Sequence, residues 1–215
     1  MSKRILNFAI VMIVTLGGIW VVPSCTAWKQ RQFLKQEGET AATFYFKKGQ
    51  KTKDSLYMKG VIYAGTLKDI RKAFNQHKEI TTLVMEAVPG SMDDEINLLA
   101  SREIRKRGIN TYIPDKGWVA SGGTDMFLAG KNRNVHTTAR LGVHSWRGDE
   151  KTALEYPKNH KEHQKYLQYY KEMNIPGDFY WYTLQAAPAD SIHWMTPDEI
   201  HQYKVITEPF SSSKK

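Results

Sequence analysis

Apolar residues are spaced along this chain in several distinct ways, and each spacing predicts a different element. Ile5 to Val22 is an unbroken apolar run with no charge and a single Asn. Ala42 to Phe46 alternates weakly, a charged turn KKGQKTKD follows, and Ser55 to Ala64 returns with Leu56, Met58, Val61 and Ile62. This predicts a hairpin or a pair of neighbouring strands. Beyond Gly65 the spacing becomes helical: Leu67, Ile70 and Phe74 mark a buried face, and Thr66 with Asp69 three residues on has the form of a capping box.

The middle of the chain repeats one plan. Thr81 to Val88 is short and largely apolar, as a buried parallel strand should be. Pro89-Gly90-Ser91 makes a turn, and Met92 to Arg107 reads as a helix with Met92, Ile96, Leu99, Ala100 and Ile104 on one side. Asp93 and Asp94 near its start, Arg105 to Arg107 at its end and Gly108 beyond it suit the helix dipole and the preferred stop. Ile109 to Ile113 and Trp118 to Ala120 are strand patterns, Thr124 to Ala129 has the composition of a buried helix, and Ala139 to Val143 is strand again. Repetition of strand, turn and helix argues for an α/β domain with a mainly parallel sheet.

After His144 the pattern changes. Arg147 to His163 is polar, and Glu162 to Asn174 is a helix with Tyr166, Tyr169, Tyr170 and Met173 on one face. Gly177 to Leu184 is rich in aromatic residues suited to core or to a subunit contact. Thr196 with Glu199 caps a short helix ending near Tyr203, Val205 to Thr207 reads as a last strand, and residues 208–215 as a frayed tail.

Composition narrows the possibilities. A hydrophobic share of 41% can fill the core of one domain of ordinary size. The net charge of +9 would favour nucleic acid if the basic residues formed one tract. They are scattered from Lys3 to Lys215, so nucleic acid is not the expected partner, and anionic lipid headgroups are preferred to it.

The N-terminus supports a membrane partner directly. Lys3 and Arg4 followed by the apolar run form a cationic n-region and an h-region, so residues 1–27 read as a signal peptide, lipoprotein signal or membrane anchor. Three fates follow: an uncleaved anchor, cleavage after Ala27, or lipidation of Cys25 within Val22-Pro23-Ser24-Cys25. Residues 28–41 read as a connector and 42–207 as the folded domain. A single cysteine excludes an intramolecular disulfide and a cysteine-rich metal site.

The candidate chemistry centres on residues 117–144. Ser121 stands where a strand pattern ends and a helix begins, beside unpaired N–H groups and the positive end of the helix dipole. Such N–H groups can stabilise an oxyanion. A second strand delivers His144, a natural general base, and Pro89-Gly90-Ser91 falls at the same kind of strand end.

In this order of parts the chain resembles the ClpP/crotonase superfamily, and within it the exported ClpP-like proteins of bacterial envelopes, over roughly Met58 to Thr207. LVMEAVPGS is similar to the family's strand and glycine loop, with Gly90 in the first glycine position and Ser91 replacing the second. Ala120-Ser121-Gly122-Gly123 through Leu128-Ala129-Gly130 matches the nucleophile turn and its helix. Arg140-Leu141-Gly142-Val143-His144 places a histidine twenty-three residues after the serine.

The resemblance implies a single domain built as a repeated β-β-α spiral. It implies Ser121 as nucleophile and His144 as base, with the N–H groups of Gly90 or Ser91 and of Gly122 as oxyanion donors. The family's acid position is Ile192, and Asp190, two residues earlier, is the candidate acid. A Ser–Lys dyad through Lys116 or Lys131 is the less favoured variant. The implied function is a membrane-tethered or exported serine hydrolase, peptidase-like, acting on a peptide or acyl substrate at the periplasmic side of the envelope without metal or organic cofactor, with homo-oligomerisation by analogy. The alternative is a non-catalytic envelope protein that keeps the fold for assembly or binding. A crotonase-type hydratase or isomerase is disfavoured, because export would deprive it of CoA.

Overall fold

The computed structural model describes residues 23–148 and 151–212. The apolar run over 5–22 lies outside them. Among the described residues no helix is long and apolar enough to cross a membrane.

One eight-stranded sheet organises the chain. β1 (Thr43–Tyr45) and β2 (Ser55–Lys59) form the expected antiparallel hairpin, and β3 (Thr82–Val88) lies parallel to β2. β3 then serves two partners. Its first half, Thr82 to Val84, pairs with β4 (Asn110–Ile113), while Ala87 and Val88 pair with β5 (Trp118–Ala120). One branch continues from β4 to β6 (Arg133–Val135), the other from β5 to β7 (Arg140–Val143) and β8 (His193–Trp194). Among the described strand pairings only β1–β2 and β7–β8 are antiparallel. The expected α/β architecture with a mainly parallel sheet is what the chain adopts.

Seven α-helices among the described residues accompany the sheet: α1 (Pro23–Gln36), α2 (Thr66–Gln76), α3 (Asp94–Lys106), α4 (Gly122–Leu128), α5 (Lys161–Glu172), α6 (Gly177–Ala186) and α7 (Pro197–Gln202). The core runs between them and the sheet through Met58, Ile62, Ile70, Leu83, Met85, Val88, Phe127 and Leu141, all fully or nearly fully buried. β3 is apolar on both faces because it lies between neighbours in the sheet and under helices on its sides.

Several expectations need correction. Thr66 does not cap α2: Gly65 takes that position, the Thr66 hydroxyl accepts from the Tyr63 amide at 2.9 Å, and Asp69 turns instead to Tyr63 and Arg31. Leu99 is 40% exposed, since α3 faces the core with Leu98, Ala100 and Ile104. The stretch read as a connector is helical to Gln36, and Leu34 anchors it in the core. Val205 to Thr207 forms no strand. It lies beside β6, where the Thr207 amide donates to the Arg133 carbonyl at 3.0 Å. The tail expected to fray from 208 is held as far as Ser211, whose amide donates to Val135 at 3.0 Å.

The tyrosine face of α5 is spent inside the chain. Tyr166, Tyr169 and Tyr170 are buried, and their hydroxyls donate to the Asp94 carboxylate, the Asp125 carbonyl and the Asp125 carboxylate at 2.7, 2.5 and 2.6 Å. The aromatic stretch from Gly177 is α6, and Phe179 and Tyr180 belong to the core.

Candidate active site

Parallel strands that end side by side bring their following residues together. β5 and β7 are in register from Trp118↔Arg140 to Ala120↔Gly142, and Ser121 and His144 are the residues that follow the two strands. The Ser121 amide donates to the Gly142 carbonyl at 3.1 Å, and the Thr124 hydroxyl reaches the same carbonyl at 2.8 Å. The turn into α4 is therefore tied to β7 by two bonds.

Ser121 sits at φ 54°, ψ −130°, a conformation that side chains rarely adopt. Such a residue costs about 1–3 kcal/mol, which the surrounding bonds must hold in place. Its hydroxyl makes no hydrogen bond among the described residues and does not cap α4. A half-buried serine in a strained turn with an uncommitted hydroxyl fits a nucleophile better than a helix cap.

The Pro89-Gly90-Ser91 loop closes on this turn. A β-carbon on Gly90, where φ is +153°, would stand 3.2 Å from Ser121 Cβ and 3.5 Å from its Oγ. One on Gly122 would stand 2.5 Å from Ser91 Oγ. Both positions therefore require glycine. Ser91 is not among the residues with positive φ, so it takes the place of the second glycine without backbone strain. Among the described residues no hydrogen bond is donated by the backbone N–H groups of Gly90, Ser91 or Gly122. Three amides beside one serine hydroxyl are an anion-binding arrangement in waiting.

His144 is half-buried, and its Nδ1 is enclosed without a hydrogen-bond partner. Burial lowers its imidazole below the ordinary 6.5, while backbone groups of Ser145 and Ala189 and the charge of Asp94 act the other way. The ring is thus held neutral near pH 7, the state a general base needs.

The structure does not bring Asp190 to this histidine. Asp190 is exposed in the turn after Pro188 and makes no hydrogen bond with His144. Ile192 instead packs on β7, its Cγ2 falling 2.5 Å from where a β-carbon on Gly142 would be. Nor does either lysine offer a base. Lys116 and Lys131 are both exposed, and each precedes or follows the opposite ends of the strands: Lys116 lies ahead of β5, and the Lys131 amide bonds to Ile109 just before β4. Cys25 falls within α1.

Sequence reasoning missed two residues on α3. Asn97, 1% exposed, donates from its amide to the Gly122 carbonyl at 3.0 Å, and Asp94 accepts from the Ser91 hydroxyl. Their i, i+3 spacing shows that they share a helix face, but no pattern in the chain says that the face meets the serine turn. No group of three or more His, Cys, Asp or Glu suited to a metal ion is found among the described residues.

Neither protein-family models nor curated proteins match the sequence. Solved structures do match the fold. The ClpP protease catalytic domain from Plasmodium falciparum aligns at a TM-score of 0.54 with 16% identity, over 76% of this chain and 87% of that one. A point mutant of ClpP1 from Listeria monocytogenes gives 0.52 and 15%, over 75% and 92%. A point mutant of the 1510-N membrane-bound stomatin-specific protease gives 0.50 and 16%, over 75% and 78%. At these identities the likeness establishes a ClpP-like fold.

Proposed function

We propose that the chain is a peptidase-like serine hydrolase working through a Ser121–His144 pair on a peptide or acyl substrate. The observation that carries this reading is the strained, unbonded Ser121 beside the undonated amides of Gly90, Ser91 and Gly122. His144 takes the Oγ proton as Oγ bonds to the substrate carbonyl carbon, and the carbonyl electron pair moves to oxygen. The three amides are the groups available to that oxyanion. Collapse expels the leaving group, which takes the proton back from the imidazolium. Water, deprotonated by the same ring, then releases the acyl group.

Asp190 has no part in this scheme, and His144 acts without a carboxylate in contact. Proteases among the chains of like fold agree with a peptide substrate. The test is labelling of the full chain, in mild detergent, with a fluorophosphonate probe, alongside Ser121→Ala and His144→Ala. Labelling lost in both variants supports the pair. A folded parent that stays unlabelled rejects it.

The same reading places the protein at the bacterial cell envelope, facing the periplasm. Its support is the cationic start and the apolar run ahead of α1. Lipidation at Cys25, retention of Met1 or a new start at Trp28 gives three different masses for the mature N-terminus. Self-association of the domain is read by its mass in solution. A non-catalytic binding role draws support from one observation, the apolar Ile192 where the resemblance calls for an acid.

A further inference from the structure

Helix α3 carries polar side chains where its packing does not need them. Leu98, Ala100 and Ile104 dock the helix against the core, yet Asn97 is buried with them, and Asp94, three residues earlier on the same face, is exposed at the start of the helix and reaches sideways to the Ser91 loop. Both end on the candidate oxyanion site. Asp94 Oδ1 accepts from the Ser91 hydroxyl, and its Oδ2 accepts from Tyr166 at 2.7 Å. Asn97 Nδ2 donates to the Gly122 carbonyl at 3.0 Å. A β-carbon on Gly122 would stand 2.5 Å from Ser91 Oγ and 2.9 Å from Asn97 Nδ2, so all three groups meet at one point.

We propose that Asp94 and Asn97 are positioning residues that brace the two halves of the oxyanion site from α3. Asp94 holds the Gly90–Ser91 half through the Ser91 hydroxyl, and Asn97 holds the nucleophile half through the Gly122 carbonyl. This deepens the hydrolase reading and rests on it.

Three features support the brace. Ser91 has ordinary backbone dihedrals, so the loop keeps no shape by glycine geometry at that residue and needs a restraint from its side chain. The restraint is itself fixed, because Asp94 is bonded on both oxygens and Tyr166 is buried in α5. Asn97 leaves its own Oδ1 buried without a partner. A buried acceptor without a bond lowers stability, so packing alone does not explain an asparagine there.

If the brace acts as a unit, Asp94 and Ser91 are coupled, and labelling is compared at a pH where His144 is neutral in every variant, so that the charge Asp94 exerts on that ring does not enter. The experiment measures the fluorophosphonate labelling rate of the full chain in mild detergent, together with hydrogen exchange at residues 90–92 and 122–124. Ser91→Ala, Asp94→Ala and Asn97→Ala should each slow labelling by about tenfold or more, the scale of a misplaced oxyanion donor. The Ser91→Ala/Asp94→Ala double variant should be no slower than either single. Asp94→Asn, which keeps an acceptor for Ser91, should label within about twofold of the parent if that bond is the working part. Exchange at 90–92 should quicken in Ser91→Ala and Asp94→Ala, and at 122–124 in Asn97→Ala.

Parent-like rates in the single variants, or losses that add in the double, overturn the brace. A parent that is folded but unlabelled rejects the hydrolase reading instead, and the exchange measurement still decides: unchanged protection in all three variants overturns the brace as well. Should Asp94→Ala fail to fold, Ser91→Ala and Asn97→Ala carry the same test.

Discussion

Ile192 packs against Gly142, two residues ahead of His144. Gly142 pairs with Trp194 and Val143 with His193, and the register ends there, one residue short of His144 on one strand and of Ile192 on the other. The imidazole Nδ1 is enclosed there without a partner. Ile192→Asp should supply a carboxylate to it. We expect faster fluorophosphonate labelling, by about tenfold or more given how much an orienting acid contributes in serine hydrolases. An unchanged rate in a folded variant would show that the side chain at 192 does not reach the ring.

The pH dependence of labelling follows from His144. Burial lowers its imidazole below 6.5, and a protonated ring cannot accept the serine proton. Reactivity should therefore hold down through pH 6.5 and fall only at lower pH. The linked stability has the same sign: the unfolded chain binds the proton more readily, so this contribution is present above 6.5 and is lost as pH falls through the folded value. A labelling midpoint above 6.5 would contradict the burial argument.

Ser121 invites a trade of activity for stability. Its φ of 54° suits glycine, and its hydroxyl contributes no hydrogen bond. Relief of the strain, less the extra freedom glycine gives the unfolded chain, leaves Ser121→Gly about 1 kcal/mol more stable. Thermal or urea unfolding reads this directly, and labelling should be abolished. A variant no more stable than Ser121→Ala would mean that the turn is not strained.

Asp125 lies one turn beyond the serine, bonded to Tyr170, and burial pushes its carboxyl up to about 7 from 3.8. The folded state thus favours the protonated acid. The stability this gives is complete below 3.8 and is lost as pH rises through about 7. Asp125→Asn keeps an acceptor for Tyr170 and removes the charge. Its unfolding midpoint should vary less with pH across that window than the parent's, and should exceed the parent's on the alkaline side. Parallel curves for the two proteins would place Asp125 in a more open setting.

Local patterns in the chain revealed what local physics decides. The apolar run of β3, the acidic start and basic end of α3, and the Thr196–Glu199 capping box of α7 were all legible because each depends on neighbours in sequence. Ser121 at a strand-to-helix turn was legible for the same reason. β6 and β8 were not, being short strands defined by distant partners at 110–113 and 140–143. The α5 tyrosines showed a sticky face, but only the fold reveals that Asp94 and Asp125 receive their hydroxyls. Asp190 is turned to solvent without a hydrogen bond to His144, because alternation along an extended segment does not survive the turn that follows Pro188.

The fork at β3 has a consequence for how the molecule comes apart. One strand is the trunk for both limbs, so its amides should be the last in the sheet to exchange with solvent. The limb of β5, β7 and β8 bears the serine and the histidine, while β4 and β6 are joined to it within the sheet through that trunk and outside it through α4, which Thr111 holds to β4 and Thr124 to β7. The reactive limb can thus loosen while the other stays closed only where α4 lets go of β4, so heating that frees α4 would silence the site before the domain melts.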